Sequence, residues 1–344
     1  MSSARLAARR AVRLRVARHP LLRRGWYVAA GESLWRRVGA PVPTHLRHTK
    51  GWPSGLGPRG WLRRVALGAA TPSLVWARGS GAFTLAAGTH EGGLVLLGHP
   101  QGRVAHEYGR LLGADYADLR SAFSRHLPAP GFTLEDGLLV EDDVRGRHLL
   151  DLDGATRLAT VRDLVRRFAS LTADEGAPGG AALLAAAVDA AQRADAPPAL
   201  LDALDALAAQ GPADTWRLVP APAEATVKNV LVVGDHTPAP IDLSDLRREL
   251  FFSYPVGIVS ESRPDVLAAF RAGALDDEFA ALFAATGASW TWDSAGRDGL
   301  LAARLVVVAY QEHLRPDGVD LPRLGASLNR RWERLWSDRP AAYR

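Results

Sequence analysis

The pattern of apolar and polar positions changes character along the chain. Residues 3–18, SARLAARRAVRLRVAR, set Leu6, Val12, Leu14 and Val16 among arginines, which predicts a basic helix whose apolar spacing is only partly helical. Residues 38–72 are rich in Pro, Gly and Trp and read as an irregular connector. From 74 to 100, the short runs LVWAR, AFTLAAG and GLVLLG alternate with glycine-bearing turns, the signature of a small antiparallel sheet. Helices are predicted at 103–112 (RVAHEYGRLL) and 115–126, and GLLVEDDVRG at 137–146 predicts a strand running into an acidic turn.

Beyond residue 146 the period is mainly helical. VRDLVRRFASL places Val161, Leu164, Val165, Phe168 and Leu171 on one stripe, as a buried amphipathic helix requires. Alanine-rich segments at 180–210 continue the trend, and helical patterns recur at 264–285, 298–313 and 320–337. Inside this half, 229–243 reads as two short apolar strands around Gly-Asp-His-Thr-Pro. A small sheet-plus-helix unit before a larger helical unit with one β-hairpin is an α+β, two-lobed layout. The boundaries that follow are a basic extension and connector at 1–65, a small lobe at 66–140 and a large helical lobe at 141–344.

Composition narrows the chemistry. The 344 residues contain no Cys, which excludes disulfides, thiolate metal sites and cysteine nucleophiles. No apolar run approaches the length of a membrane span, and the first thirty residues lack the apolar core of a secretory signal, so a cytoplasmic location is expected. Charge is uneven: residues 1–64 hold 15 Lys or Arg against the single acid Glu32, and the remainder holds 27 against 36. The basic arm is therefore either a solvated or docked helix, or a contact for an anionic membrane, nucleic acid or other partner. The histidines lack metal-ligand spacing, neither G-x-S-x-G nor G-x-x-x-x-G-K-[ST] occurs, and no G-x-G-x-x-G stands before a helix.

The informative stretch is 227–245, VKNVLVVGDHTPAPIDLSD. Asn229 enters one strand and Asp242 leaves the other. Phosphoryl transfer from a nucleotide needs Mg²⁺ held by hard oxygen ligands, and a hairpin presents its two mouths side by side, so an Asn and an Asp there can touch one ion.

These residues resemble the aminoglycoside phosphotransferase and choline kinase group of the protein-kinase-like fold. That group reads approximately His-Gly-Asp-x-x-x-x-Asn-hydrophobic-Leu, then, about a dozen residues on, hydrophobic-Ile-Asp-hydrophobic-x-Asp. The chain has Pro222-Ala223-Glu224-Ala225-Thr226-Val227-Lys228-Asn229-Val230-Leu231, then Pro240-Ile241-Asp242-Leu243-Ser244-Asp245. The resemblance implies that Asn229 and Asp242 hold Mg²⁺, that Glu224 stands in place of the catalytic Asp, and that ATP or GTP donates its γ-phosphate to a small-molecule hydroxyl acceptor. It also implies that Gly79, Ser80 and Gly81 cover the phosphates. Glu107 would sit in a helix after the sheet, where the group pairs a Glu with a strand lysine. Backbone groups at 140–144 would meet an adenine ring.

Two features depart from the pattern. No lysine stands near Leu96 or Leu97, since only Lys50 and Lys228 exist. His-Gly-Asp has become Pro-Ala-Glu, whose carboxylate is one methylene longer. Lys228 either faces the γ-phosphate as a substitute cation or points to solvent. Two functions follow: a divergent small-molecule kinase, or a pseudokinase acting as a nucleotide-binding or interaction module. Trp290, Trp292, Trp332 and Trp336 line a substrate cleft or simply pack.

Overall fold

The structure is a computed structural model that describes residues 3–29, 34–40, 74–88, 93–107, 112–210, 213–287, 290 and 293–336. The chain forms two compact units: Met1–Gly113 with Pro130–Gly146, and Ala114–Ala129 with Arg147–Arg344. The α+β class expected from the periodicity is the one observed.

In the first unit, α1 (Ser3–Arg18) precedes β1 (Arg23–Ala29), β2 (Leu34–Arg37), β3 (Leu74–Ser80), β4 (Leu85–Gly88), β5 (Leu94–Leu97), β6 (Arg103–His106), β7 (Phe132–Glu135) and β8 (Leu138–Asp142). The strands make one sheet in the order β3-β1-β2-β4-β5-β6-β8-β7, with every pairing antiparallel. Val12 and Val16 of α1 join Tyr27, Trp35, Val75 and Ala77 in one core cluster, and Leu34, Leu85 and Leu97 form another.

Several expectations are corrected here. Residues 1–65 are not a separate extension, because α1, β1 and β2 belong to the first unit and supply two of its eight strands. The expected helix at 103–112 is a strand over Arg103–His106: cross-strand pairing of Val95 with His106 and of Ala105 with Val140 overrides local helix propensity. Residues 108–111, like the connector at 41–73, lie outside the described residues. The strand expected at 137–146 is the second half of a hairpin, in which Asp136 and Gly137 adopt φ of 52° and 78°, the left-handed pair that an Asp-Gly turn supplies. The first unit also ends at Gly146 rather than 140 and gives up residues 114–129 to the second.

The second unit contains α2 (Tyr116–His126), β9 (Arg147–His148), α3 (Gly154–Glu175), α4 (Gly180–Arg193), α5 (Pro198–Ala208), β10 (Leu218–Pro222), β11 (Val230–Val233), β12 (Thr237–Pro240), β13 (Leu246–Leu250), α6 (Ser253–Glu261), α7 (Pro264–Arg271), α8 (Asp276–Ala284), α9 (Ser294–His313) and α10 (Leu321–Trp336). Asp153 caps α3 by accepting the Thr156 N–H at 3.0 Å, and the stripe Val161, Leu164, Val165, Phe168 and Leu171 is buried as its spacing requires. The helical pattern at 264–285 is interrupted at Gly273, whose φ of +85° ends α7 before α8 begins.

Tryptophans in this unit pack. Trp290 stands 4.4 Å from Phe283 and 5.9 Å from Trp216, ring centre to ring centre. Trp332 stacks on Trp336, with the Arg271 guanidinium 5.0 Å from the Trp336 ring. Trp292 lies outside the described residues.

Candidate functional site

Two small sheets of the second unit carry the motif. β10 pairs with β13, and β11 lies between β12 and β9. Prolines 220, 222, 238 and 240 sit in β10 and β12, which is possible because both are edge strands. The Leu218 N–H donates outward, to the Ala177 carbonyl at 2.8 Å, so positions 220 and 222, in phase with it, lack a donor only on the side away from β13. Their fixed φ stiffens the strand that leads into Ala223 and Glu224.

Asn229 and Asp242 flank the same end of the β11–β12 hairpin. Val230 pairs with Pro240, and the Ile241 N–H donates to the Asn229 carbonyl at 2.8 Å, extending the pairing to the residue before Asp242. The Asn229 N–H closes a short turn onto the Thr226 carbonyl at 2.9 Å. Asp242 adopts φ of +56°, a left-handed conformation rare outside glycine, and the Ser244 hydroxyl donates to its Oδ1 at 3.1 Å. Its side chain is exposed. A strained, exposed carboxylate is a common property of functional sites.

The segment carrying Glu224 is tied to the segment after Asp242. The Glu224 N–H donates to Oδ2 of Asp245 at 2.8 Å, and the Ala223 N–H donates to the Asp245 carbonyl at 3.3 Å. Burial pushes the Asp245 carboxyl up to about 6, against the pull of the Glu224 amide and with a further push from the charges of Asp242 and Glu224. Asp245 closes the sequence motif, but the residues alone gave no sign of its role; the Asp-x-x-Asp spacing was the available signal.

A second carboxylate shares this electrostatic environment. Burial raises the Glu261 carboxyl, Arg304 opposes the shift, Glu224 adds to it, and Lys228 opposes it. Arg304 is held down by burial and opposed by Glu261; its Nε donates to the Ser253 carbonyl at 3.1 Å. Gly257 of α6 makes room for this packing: a Cβ there would lie 2.2 Å from the Ala225 Cβ and 2.6 Å from the Arg304 Nε. Glu224 and Lys228 are both exposed.

An amide oxygen and a carboxylate at one hairpin mouth are hard donors, and the pair Asn229 and Asp242 fits Mg²⁺ in kind. Among the described residues no group of three or more His, Asp and Glu is disposed to hold a metal. An ion here would keep most of its ligands as water or substrate oxygens, which is how Mg²⁺ is usually bound.

The candidate residues of the first unit are placed differently from the expectation. Gly79, Ser80 and Gly81 lie where β3 meets the chain between α1 and β1. The Ser80 and Gly81 N–H groups donate to the Pro20 carbonyl at 3.1 and 3.0 Å. A Cβ on Gly79 would meet the His19 carbonyl at 2.3 Å, and one on Gly81 the Leu21 carbonyl at 2.0 Å. These glycines permit a close backbone approach, and the amides of Ser80 and Gly81 are engaged by Pro20.

Glu107 directly follows strand β6. Its carboxylate meets Arg15 at 2.6 Å, His19 at 3.1 Å and the Leu94 N–H at 2.6 Å. Burial pushes this carboxyl up, but the His19 hydrogen bond and the Arg15 charge outweigh it, and it lies below its ordinary value. The cation that meets Glu107 is Arg15 of α1, with His19 just beyond the helix. In the stretch expected to meet adenine, the Asp142 N–H donates to the Gly131 carbonyl at 2.9 Å and the Asp143 N–H to the Gly102 carbonyl at 2.7 Å.

Neither the family models nor the curated proteins give a match to the chain. Solved structures do. Macrolide 2'-phosphotransferase type I is 14% identical over 80% of this chain and 97% of its own, with a TM-score of 0.43. The macrolide 2'-phosphotransferase apoenzyme from Brachybacterium faecium is 15% identical over 72% and 89%, with a TM-score of 0.42. A thermostable mutant of an aminoglycoside phosphotransferase, in ternary complex with AMP-PNP and hygromycin B, is 17% identical over 69% and 89%, with a TM-score of 0.41. All three are phosphotransferases by name.

Proposed function

We propose that this chain is a divergent small-molecule kinase that transfers the γ-phosphate of ATP or GTP to a hydroxyl acceptor. The observation that carries this reading is the hairpin end at which Asn229 and a left-handed Asp242 stand side by side. In this reading Asn229 and Asp242 hold Mg²⁺, which when bound neutralises charge on the transferring phosphoryl group. Glu224 accepts a hydrogen bond from the acceptor hydroxyl and orients it. Asp245 fixes the backbone of Glu224, and Lys228 supplies a point charge toward the phosphates.

A second reading is favoured by particular contacts. The Ser80 and Gly81 amides are engaged by Pro20, and those of Asp142 and Asp143 by Gly131 and Gly102, so two groups of backbone donors expected to meet a nucleotide are in use. No lysine occurs in the described part of the first unit. These contacts favour a pseudokinase, a nucleotide-binding or interaction module with little turnover.

Titration calorimetry with ATP and with GTP, each with and without Mg²⁺, tests both readings. The kinase reading expects Mg²⁺-dependent nucleotide binding that Asp242→Asn abolishes, and nucleotide hydrolysis or transfer that Glu224→Gln reduces. Binding without turnover would leave the module. Absence of nucleotide binding to the wild type would sink the kinase reading.

A further inference from the structure

We propose that the first unit docks on the surface of an anionic phospholipid bilayer through the face of β3, β1 and β2 that lies opposite α1. The face follows from strand alternation. Tyr27, Val75 and Ala77 cluster with Val12 and Val16 of α1, so Trp26, Val28, Leu74 and Trp76 point the other way. Trp26 is paired with Trp76 and Val28 with Leu74, and the Val38 N–H donates to the Trp26 carbonyl at 2.8 Å, which continues the row onto the end of β2.

These side chains are unusually bare. Trp26, Val38, Leu74 and Trp76 are 50%, 55%, 45% and 38% exposed. They are four of the eight exposed large hydrophobics among the described residues, gathered on one end of one sheet. Such a gathering of exposed apolar side chains marks an interaction surface.

The charge around it is of one sign. β1, β2 and β3 contain Arg23, Arg24, Arg36, Arg37 and Arg78 and no acid. Arg36 is paired with Val28 and Arg78 alternates in phase with Trp76, so both share the face of Trp26, and among the described residues neither they nor Arg24 form an ion pair. The first unit as a whole holds 19 Lys or Arg against 8 Asp or Glu, net +11. Its complement is therefore an anionic surface.

The apolar side chains select among anionic surfaces. A single-stranded nucleic acid stacks successive bases on open ring faces. Trp26 and Trp76 instead meet edge to face, with centres 5.2 Å apart and planes at 75°, and their neighbours Leu74, Val28 and Val38 offer no stacking surface. Tryptophan beside aliphatic side chains, rimmed by arginine, is the composition that settles at the headgroup boundary of a bilayer, with the indoles at the interface and the guanidinium groups on phosphates.

The test is co-sedimentation of the full chain with large vesicles of phosphatidylcholine alone or mixed with phosphatidylserine. Binding is expected only with phosphatidylserine and weakens as salt rises. Trp26→Ser with Trp76→Ser should lower the partition coefficient about tenfold or more. Arg36→Gln with Arg78→Gln, which leaves the apolar side chains alone, should lower it about fivefold per arginine; this variant carries the test if the tryptophan variant fails to fold. Equal binding to neutral vesicles overturns the proposal. So does binding that survives both surface variants and disappears with Arg5→Ala, Arg9→Ala and Arg10→Ala, which would assign it to α1. Capture of a single-stranded oligonucleotide in place of vesicles would make the face a nucleic-acid platform and overturn the lipid assignment.

Discussion

Asp245 accepts the backbone N–H of Glu224 at 2.8 Å, so the last acid of the motif is a clamp on the segment that carries Glu224. Its carboxyl is raised from 3.8 to about 6, chiefly by burial. A group that binds its proton more tightly when folded stabilises the fold fully below its unfolded pKa, and that stability is lost as pH rises through the folded value. Asp245→Asn keeps an oxygen for the Glu224 amide and removes the titration. Relative to this variant, the wild type should lose roughly 1–3 kcal/mol between pH 4 and pH 6. Urea unfolding of both proteins across that window would show it, and parallel curves would refute it.

Gly257→Ala places a methyl group 2.2 Å from the Ala225 Cβ and 2.6 Å from the Arg304 Nε. Overpacking of this kind costs about 1–3 kcal/mol. Because Ala225 adjoins Glu224, the strain also reaches the proposed catalytic segment. The expected result is a lower urea midpoint together with weaker nucleotide binding or turnover, whereas an unchanged midpoint would show that α6 and the loop can separate freely.

Glu107 ties α1 to the sheet through Arg15, His19 and the Leu94 amide. Its carboxyl is lowered, so the stability it contributes is present above the unfolded pKa and lost as pH falls through the folded one. Glu107→Gln should destabilise by about 1 kcal/mol at pH 7 and by progressively less toward pH 3. Hydrogen exchange of residues 10–18 should accelerate in the variant. Unaltered exchange would mean that Val12 and Val16 hold the helix without the ion pair.

Gly137 adopts φ of 78° in the β7–β8 turn, next to Asp136 at 52°. Gly137→Ala should cost about 1–2 kcal/mol, the penalty of a Cβ in the left-handed region. A thermal midpoint within error of the wild type would contradict the turn assignment.

Legibility in the sequence followed how local the signal was. The stripe from Val161 to Leu171 needs only one helix face to be buried, and it is buried as its spacing predicts. The hairpin around Gly234 was likewise readable, because two apolar runs and a turn lie within a few residues. RVAH at 103–106 misled, because its helical neighbours suggest one period while distant strands β5 and β8 impose the other. β1 and β2 were hidden by arginines, whose charge suggests an arm although Tyr27 and Trp35 are fully buried.

The site divides along the same line. That Asn229 and Asp242 flank one hairpin end was legible, because a single turn joins them. The close approach of Gly79 and Gly81 to His19, Pro20 and Leu21 was not legible, because a glycine pair that admits a phosphate and one that admits another segment of backbone look alike in one dimension. The clamp by Asp245 and the Arg304 that backs onto α6 depend on contacts across 21 residues and more, which no local pattern reports.

The first unit is completed only when β7 and β8 return to β6 after the excursion through α2. During synthesis, a nascent chain that has emerged as far as Gly113 presents β6 as an open edge with no strand to close it. Expression fragments ending there should self-associate, and the smallest secretable or crystallisable piece of this unit must carry residues through Gly146.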